Sequence, residues 1–368
     1  MDGAQVGSRS DFMTRVSWVD TAKGFGIILV VFGHVLRGLV NSDVMEWTPT
    51  TRYVDTWIYA FHMPLFFFIS GLFLSQSAAK STSGFVWDKA RTIAYPYFLW
   101  SLITLFVKAP LGEIVNHPRE LSEFPDVFYR PIEQFWFLYV LFLLAIAFGF
   151  LLKLGVRPWA ILLLVFLVYP GTLPIPFSGW VPLEQIRFDA IYLAFGVILG
   201  GSRRFSLMSN IHATSIATIM AVGFFIVSLL AKLLEFSHPH ALDFVLALSG
   251  IAGVVALALL TSRANLDLVI HFLGRHSLEI FVAHSIISGA IRILLQKMGH
   301  ISSPAPYLVF CTLAGLYVPA LVAIGLERVG VNYLFFLPKR SSEPKDLRYA
   351  VKASPSQATD EQIVGPLN

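Results

Sequence analysis

Three histidines lie inside apolar stretches of this chain: His34 in GFGIILVVFGHVL, His62 in YAFHMPLFFFISG and His284 in LEIFVAHSI. Imidazole titrates nearest neutrality of all side chains, so it can take a proton from a hydroxyl and give it back. His34 has a companion, Lys23, eleven positions earlier. At about 100° per residue that separation is three turns plus ~20°, which puts both on one helix face about 16 Å apart. Gly24, Ile27 and Val30 or Val31 fill the same stripe. A cation at a membrane rim can hold an anionic ligand while the imidazole does acid–base chemistry at depth. Spacing alone fits equally well a snorkelling lysine and a histidine hydrogen-bonded to a neighbouring helix.

Other residues have weaker individual signals. His62 precedes Pro64, which frees a backbone carbonyl that needs a partner at depth. Its segment, antiparallel to the first, can bring His62 level with His34, where a structural hydrogen bond is an equal reading. Tyr59, Asp55 and Ser70 are secondary candidates there. WDKARTIAYPYFLW sets Lys89 and Arg91 before Pro96. Two cations at the rim suit a phosphate-bearing ligand, although ordinary anchoring of a helix by basic residues explains them as well or better. Arg187 and Asp189 open a later apolar segment, and Glu279, placed to offset Arg275, precedes the deeper His284. Trp136 in QFWFLYVLF fits an interfacial aromatic belt or a stacking surface for a sugar. A zinc site of His34, His62 and His284 is disfavoured, because no carboxylate stands on an adjacent turn and no HExxH-type pair occurs. P-loop, GxGxxG, GxSxG and CxxC signatures are absent from the sequence.

These residues need apolar helices to position them. Of 368 residues, 56% are apolar and only 14% charged, with a mean hydropathy of +0.69. A soluble domain of this length needs more polar surface, so the expected fold is all-α, a polytopic membrane bundle. Apolar runs near 24–40, 54–75, 91–108, 135–152, 157–170, 188–201, 213–233, 242–261, 277–295 and 305–326 give about ten spans. With the N-terminus in the cytoplasm, roughly twice as many Lys and Arg fall on that side as on the other, so both termini are expected to be cytoplasmic. The basic pI of about 9.1 then reflects topology rather than nucleic-acid binding. Residues 1–23 show no cleavage pattern, so the first apolar run reads as a retained helix. The expected division is a short cytoplasmic segment 1–18, a membrane domain 19–337 and a disordered cytoplasmic tail 338–368. The connection 109–134 has room for a small cap or a re-entrant piece, but not for a domain. Gly196 and Gly200 read as helix packing. Cys311, the sole cysteine, excludes a disulfide framework.

The motifs DTAKGFGIILVVFGH, FHMPLFFFISG, KARTIAYPYFLW, FWFLYVLF and LGRHSLEIFVAHS, in this order, resemble the acyltransferase-3 family of bacterial integral-membrane O-acyltransferases, over about Val19 to Leu326. The likeness is to its fucose-O-acetylase-like and exopolysaccharide-modifying members. It implies a bundle in the bacterial inner membrane that moves an acyl group from cytoplasmic acyl-CoA to a glycan or lipid-linked sugar. No metal is implied, and polysaccharide-assembly proteins are possible partners. His34 would be the catalytic base, Lys23 its basic partner and His62 a further catalytic candidate. Lys89 and Arg91 match the family's basic cluster, which is usually richer in arginine, and would bind the donor. Trp136, Arg187, Asp189 and His284 are candidates for the acceptor. Acetyl is the first choice of cargo and succinyl the second, for which Arg187 or Arg292 could supply a cation. The competing readings are a transporter or flippase for a lipid-linked saccharide, which would act without acyl-CoA, and a structural subunit of a polysaccharide assembly. The absence of an internal repeat weighs against the transporter.

Overall fold

The structure, a computed structural model, describes residues 17–169, 179–201, 212–233, 240–299, 303–331 and 333–337. The expected tail and most of the N-terminal segment lie outside these residues. Among the described residues the regular structure is helical, with no strand. The chain runs through α1 (Ser17–Val40), α2 (Pro49–Leu72), α3 (Leu74–Ala78), α4 (Thr82–Lys89), α5 (Tyr95–Lys108), α6 (Trp136–Lys153) and α7 (Pro158–Val168). It continues with α8 (Val181–Gly200), α9 (His212–Leu233), α10 (His240–Arg263), α11 (Leu268–Arg275), α12 (Ser277–Met298) and α13 (Pro304–Arg328).

Local chemistry sets several of these boundaries. Thr48 caps α2: its hydroxyl accepts from the Thr51 N–H at 3.1 Å, and the Thr51 hydroxyl accepts from the Thr48 N–H at 2.9 Å, with Pro49 in the first turn. A π-helical turn, Ala90–Ala94, joins α4 to α5. Pro96 has no N–H for the carbonyl four residues back and its ring crowds that carbonyl, which a widened turn relieves. The HFLGRHSLE stretch breaks at His276, leaving α11 as a separate eight-residue helix before α12.

Within the described residues each expected apolar run coincides with helix over most of its length, but the runs are not equivalent. Among the described residues six segments are long and apolar enough to cross a membrane: Ser17–Val40, Thr82–Ile114, Leu121–Lys153, Asp243–Arg263, Ser277–Met298 and Pro304–Arg328. The expected span 157–170 contains an α7 of only 11 residues, about 16 Å long against a hydrocarbon core of about 30 Å. Helices α2 and α8 have the length but are more polar, with Arg52 and Asp55 on one and Glu184, Arg187 and Asp189 on the other. They pack against each other backbone to backbone: a Cβ at Gly196 would strike the Phe68 carbonyl and one at Gly200 the Leu72 carbonyl. Elsewhere large apolar side chains point outward, as Leu163 and Phe166 on α7, Ile219 and Phe225 on α9, and Phe310 and Leu321 on α13. Such continuous apolar surface is what lipid tails accept.

Helix α1 is the hub, packed on α2, α10, α11, α12 and α13. Ile27, Val30 and Val31 on it have no exposed surface. Its contact with α11 is close because both sides are glycine: a Cβ at Gly24 would meet the Ile270 carbonyl, and one at Gly274 the Asp20 carbonyl. Segment 109–135 folds into short 3-10 turns over the end of the bundle where α1 finishes and α5 ends. This is the small cap that its length allowed.

Candidate active site

The site begins with how each imidazole is tethered. The Nδ1–H of His34 donates to the Val30 carbonyl at 2.8 Å, that of His62 to Ile58 at 2.8 Å, and that of His284 to Phe281 at 2.8 Å and Ile280 at 3.1 Å. A carbonyl can only accept, so Nδ1 carries the proton in all three and the Nε2 lone pair projects away from the helix. His34 and His284 meet edge to face, with ring centroids 5.0 Å apart. The Nε2 of His284 is buried without a hydrogen-bond partner. His62 is one step removed, its ring 4.7 Å from that of Tyr59, which in turn lies 6.1 Å from His34.

Arg37 ties this group together. Its Nε and Nη2 grip both oxygens of Asp55 at 2.7 and 2.9 Å, and its guanidinium carbon sits 3.2 Å from the centre of the Tyr59 ring. The planar fork serves carboxylate and ring at once, which an ammonium cannot do. Arg37→Lys is therefore expected to lower kcat/KM about tenfold by loosening Tyr59 beside His34. Steady-state kinetics on the purified protein checks this, and an unchanged kcat/KM would count against the role.

A cavity of about 700 Å³ opens above the imidazoles, lined by His34, Arg37, Tyr59, Trp136, His284 and Arg292. That volume suits a small ligand such as a sugar unit or two. The cap closes over it. Asn116 Nδ2 donates to the Gly38 carbonyl at 2.8 Å, Lys108 pairs with Glu133 at 2.5 Å, and Gln134 Nε2 donates to Ser285 Oγ at 2.8 Å. Glu133 holds φ at +46°, an uncommon conformation for a residue with a side chain. Strain of this kind recurs at working sites, where surrounding contacts fix it. Here the Lys108 and Arg119 contacts to Glu133 do so.

The structure thus brings His34, His284 and Trp136 to one cavity and His62 beside its wall. It puts the other candidates elsewhere. Lys23 is at the opposite end of α1, 3.3 Å from Asp20. Lys89 and Arg91 share that end; Arg91 pairs with Asp88 at 2.7 Å and donates to the Leu337 carbonyl at 3.3 Å, and the Lys89 ammonium lies 5.8 Å from the Phe85 ring. The buried stripe Ile27, Val30 and Val31 separates the two ends. Arg187 contacts Glu184 and the Val168 carbonyl, and Asp189 is buried on α8; neither lines the cavity. Glu279 lies 4.0 Å from His276, also outside it. Among the described residues no group of three or more His, Cys, Asp or Glu side chains is placed to hold a metal ion.

Sequence reading did not single out Arg37, Asn116, Glu133, Gln134 or Ser285. Arg37 had a signal, since it follows His34 by three positions and shares its face. Gln134 stands two residues before Trp136. Asn116 had none, because its place depends on how the cap folds.

Comparison with known proteins now bears on this arrangement. A family model described as "Acyltransferase domain", of the acyltransferase-3 family, matches residues 16–324. A protein named nodulation protein NolL from Mesorhizobium japonicum is 31% identical over 132 residues, covering 34% of this chain and 32% of the relative. A protein of the same name from Sinorhizobium fredii is 31% identical over 123 residues, 33% of this chain and 32% of its own. These matches span about a third of the length of either relative. No solved structure matches the chain significantly. A family match that runs from the start of α1 almost to the end of α13 takes in the helical bundle and its histidine-lined cavity together: the chain belongs to the acyltransferase-3 family.

Proposed function

We propose that this protein is an O-acyltransferase of the bacterial inner membrane. It moves an acyl group, acetyl in the first place and succinyl in the second, from cytoplasmic acyl-CoA to a sugar hydroxyl of an exopolysaccharide or another surface glycan. The observation that carries the reading is His34: its Nδ1–H is committed to Val30 and its ring lines a cavity of about 700 Å³ whose mainly aliphatic wall also carries Arg37, Tyr59, Gln134, Trp136 and His284. A sugar hydroxyl held there gives its proton to Nε2 as its oxygen attacks the thioester carbonyl. The tetrahedral oxyanion needs hydrogen-bond donors, and Gln134, Asn116 and Arg37 are the nearby candidates. Collapse breaks the C–S bond, forms the ester and returns the proton from His34 to the departing CoA thiolate. Trp136 offers a face on which a sugar ring can stack.

The donor end is read from charge. CoA is strongly anionic, and the cations that suit it are Lys23, about 16 Å from His34 along α1, and Lys89 and Arg91 before α5. The stripe between is closed, so a thioester arm reaching His34 from that end has to part α1 from a neighbour. Replacing Lys89 and Arg91 together by glutamine is expected to raise KM for acyl-CoA about tenfold with little change in kcat. Initial rates at varied acyl-CoA check this, and an unchanged KM would remove these residues from the donor site.

The overall reading is tested in cells. Surface polysaccharide from a strain lacking the gene should lose ester adducts of about 42 mass units for acetyl or about 100 for succinyl, the masses these acyl transfers add. Restoring the gene should restore them. Identical polysaccharide in both strains would sink the enzyme reading.

A further inference from the structure

The charges around the cavity do not balance. Four cationic side chains line it, Arg37, Lys108, Arg292 and Lys297. Two are neutralised: Arg37 by Asp55 and Lys108 by Glu133. Among the described residues neither Arg292 nor Lys297 has a carboxylate partner. Arg292 is also buried, at 7% exposure. Among the described residues its hydrogen bonds are to neutral oxygens, from Nη1 to Gln296 Oε1 at 3.2 Å and from Nη2 to the Ile114 carbonyl at 3.4 Å. A guanidinium has five N–H donors, so two long contacts leave most of its capacity unused. A buried cation is ordinarily paired, because desolvation is costly without an opposite charge. One without a protein partner, on the wall of a substrate-sized cavity, marks a place where the ligand brings the anion.

We propose that Arg292 and Lys297 form an anion-binding subsite that reads a carboxylate on the acceptor glycan, making the preferred acceptor an acidic saccharide. This rests on the acyltransferase reading above and names its acceptor class. The position favours the acceptor over the donor. Arg292 is eight residues beyond His284 on α12, about 12 Å along the axis, and it touches the cap through Ile114. That is the end of the cavity remote from Lys23, Lys89 and Arg91. The second unit of a disaccharide, with its first hydroxyl at His34, can occupy it. The fork of Arg292 suits the planar carboxylate, and the mobile ammonium of Lys297 adds charge without demanding geometry.

The test uses the full chain in lipid nanodiscs and two probes that differ in one group, cellobiose and cellobiouronic acid. Wild-type protein should bind the acid about tenfold or more tightly than the neutral sugar, as a charge-assisted bidentate contact provides. Arg292→Gln should erase the difference while moving cellobiose less than twofold, and Arg292→Lys should keep part of it. Equal binding of the two sugars by wild type overturns the proposal. So does an Arg292→Gln protein that loses both sugars alike, the result if the arginine only clamps the cap. If Arg292→Gln does not fold, Arg292→Lys and Lys297→Gln carry the same comparison, and preference for the acid unchanged in both overturns it. A parallel arm compares succinyl-CoA with acetyl-CoA. Selective loss of succinyl-CoA use in Arg292→Gln, with sugar preference intact, moves the anion to the donor and overturns the acceptor assignment. Preference for the acid sugar without transfer from any acyl-CoA supports the subsite while removing the acyltransferase reading, so the two fail separately.

Discussion

His34→Ala protein should lose acyl transfer by about 10²–10⁴-fold in kcat, the range a positioned general base supplies. The expectation follows from how the ring is held. Nδ1 is tied to Val30 one turn back, which fixes tautomer and orientation and leaves Nε2 to take the hydroxyl proton. The side chain lines the cavity beside His284 and near Tyr59, so alanine removes the base from the place where the hydroxyl would sit. His34→Gln separates chemistry from packing. Glutamine fills similar space and can hydrogen-bond, but cannot accept and return a proton at neutral pH. If His34 only braces α1 against α12, glutamine should restore much of the rate; if it is the base, both variants should be equally inactive. Single-turnover acyl transfer by the purified variants decides, with elution as one folded species as the control. Full transfer by His34→Ala would remove the centre of the mechanism.

The largest structural effect is expected at Gly274. A leucine there puts Cβ onto the Asp20 carbonyl and near the Gly24 amide, and neither backbone group can move aside as a flexible side chain could. Helix α11 then has to lift from α1. Overpacking usually costs about 1–3 kcal/mol and more where backbone is displaced. Because α1 also carries Lys23, His34 and Arg37, the shift should reach the cavity, so Gly274→Leu is expected to lower both the melting temperature and the acyl-transfer rate. Gly223→Ala on α9 is the matched control: nothing stands within 4 Å of its Cβ, and alanine favours a helix over glycine. Fluorescence-detected melting of the two variants in detergent checks this. A Gly274→Leu protein that melts like wild type would mean that the α1–α11 contact is not tight.

Much of this molecule could be read from its order of residues. Apolar runs of span length placed the helices, because in lipid a backbone has to satisfy its own hydrogen bonds, and sequence-local helices do this. The eleven-residue step from Lys23 to His34 placed both on one face, because helical periodicity is local. The five motifs carry the likeness to the family, because each is a contiguous stretch of chain. Hydrophobicity alone was less informative about individual spans: α7 stops at 11 residues where Tyr169, the residue before Pro170, turns extended.

What tertiary structure alone decided is which polar residues share a space. His34 and His284 are 250 positions apart and touch because α12 packs on α1. Lys23, on the same helix face as His34, is cut off from the cavity by a stripe that packing buries. Arg187 and Asp189, equally polar on paper, do not line the cavity, whereas Asn116 and Gln134 come to it through the fold of the cap and Arg292 through the packing of α12. The physical reason is range. Helix formation and hydrophobic periodicity act over a few residues and are written in the chain, while a site is a set of distances between segments that only packing determines.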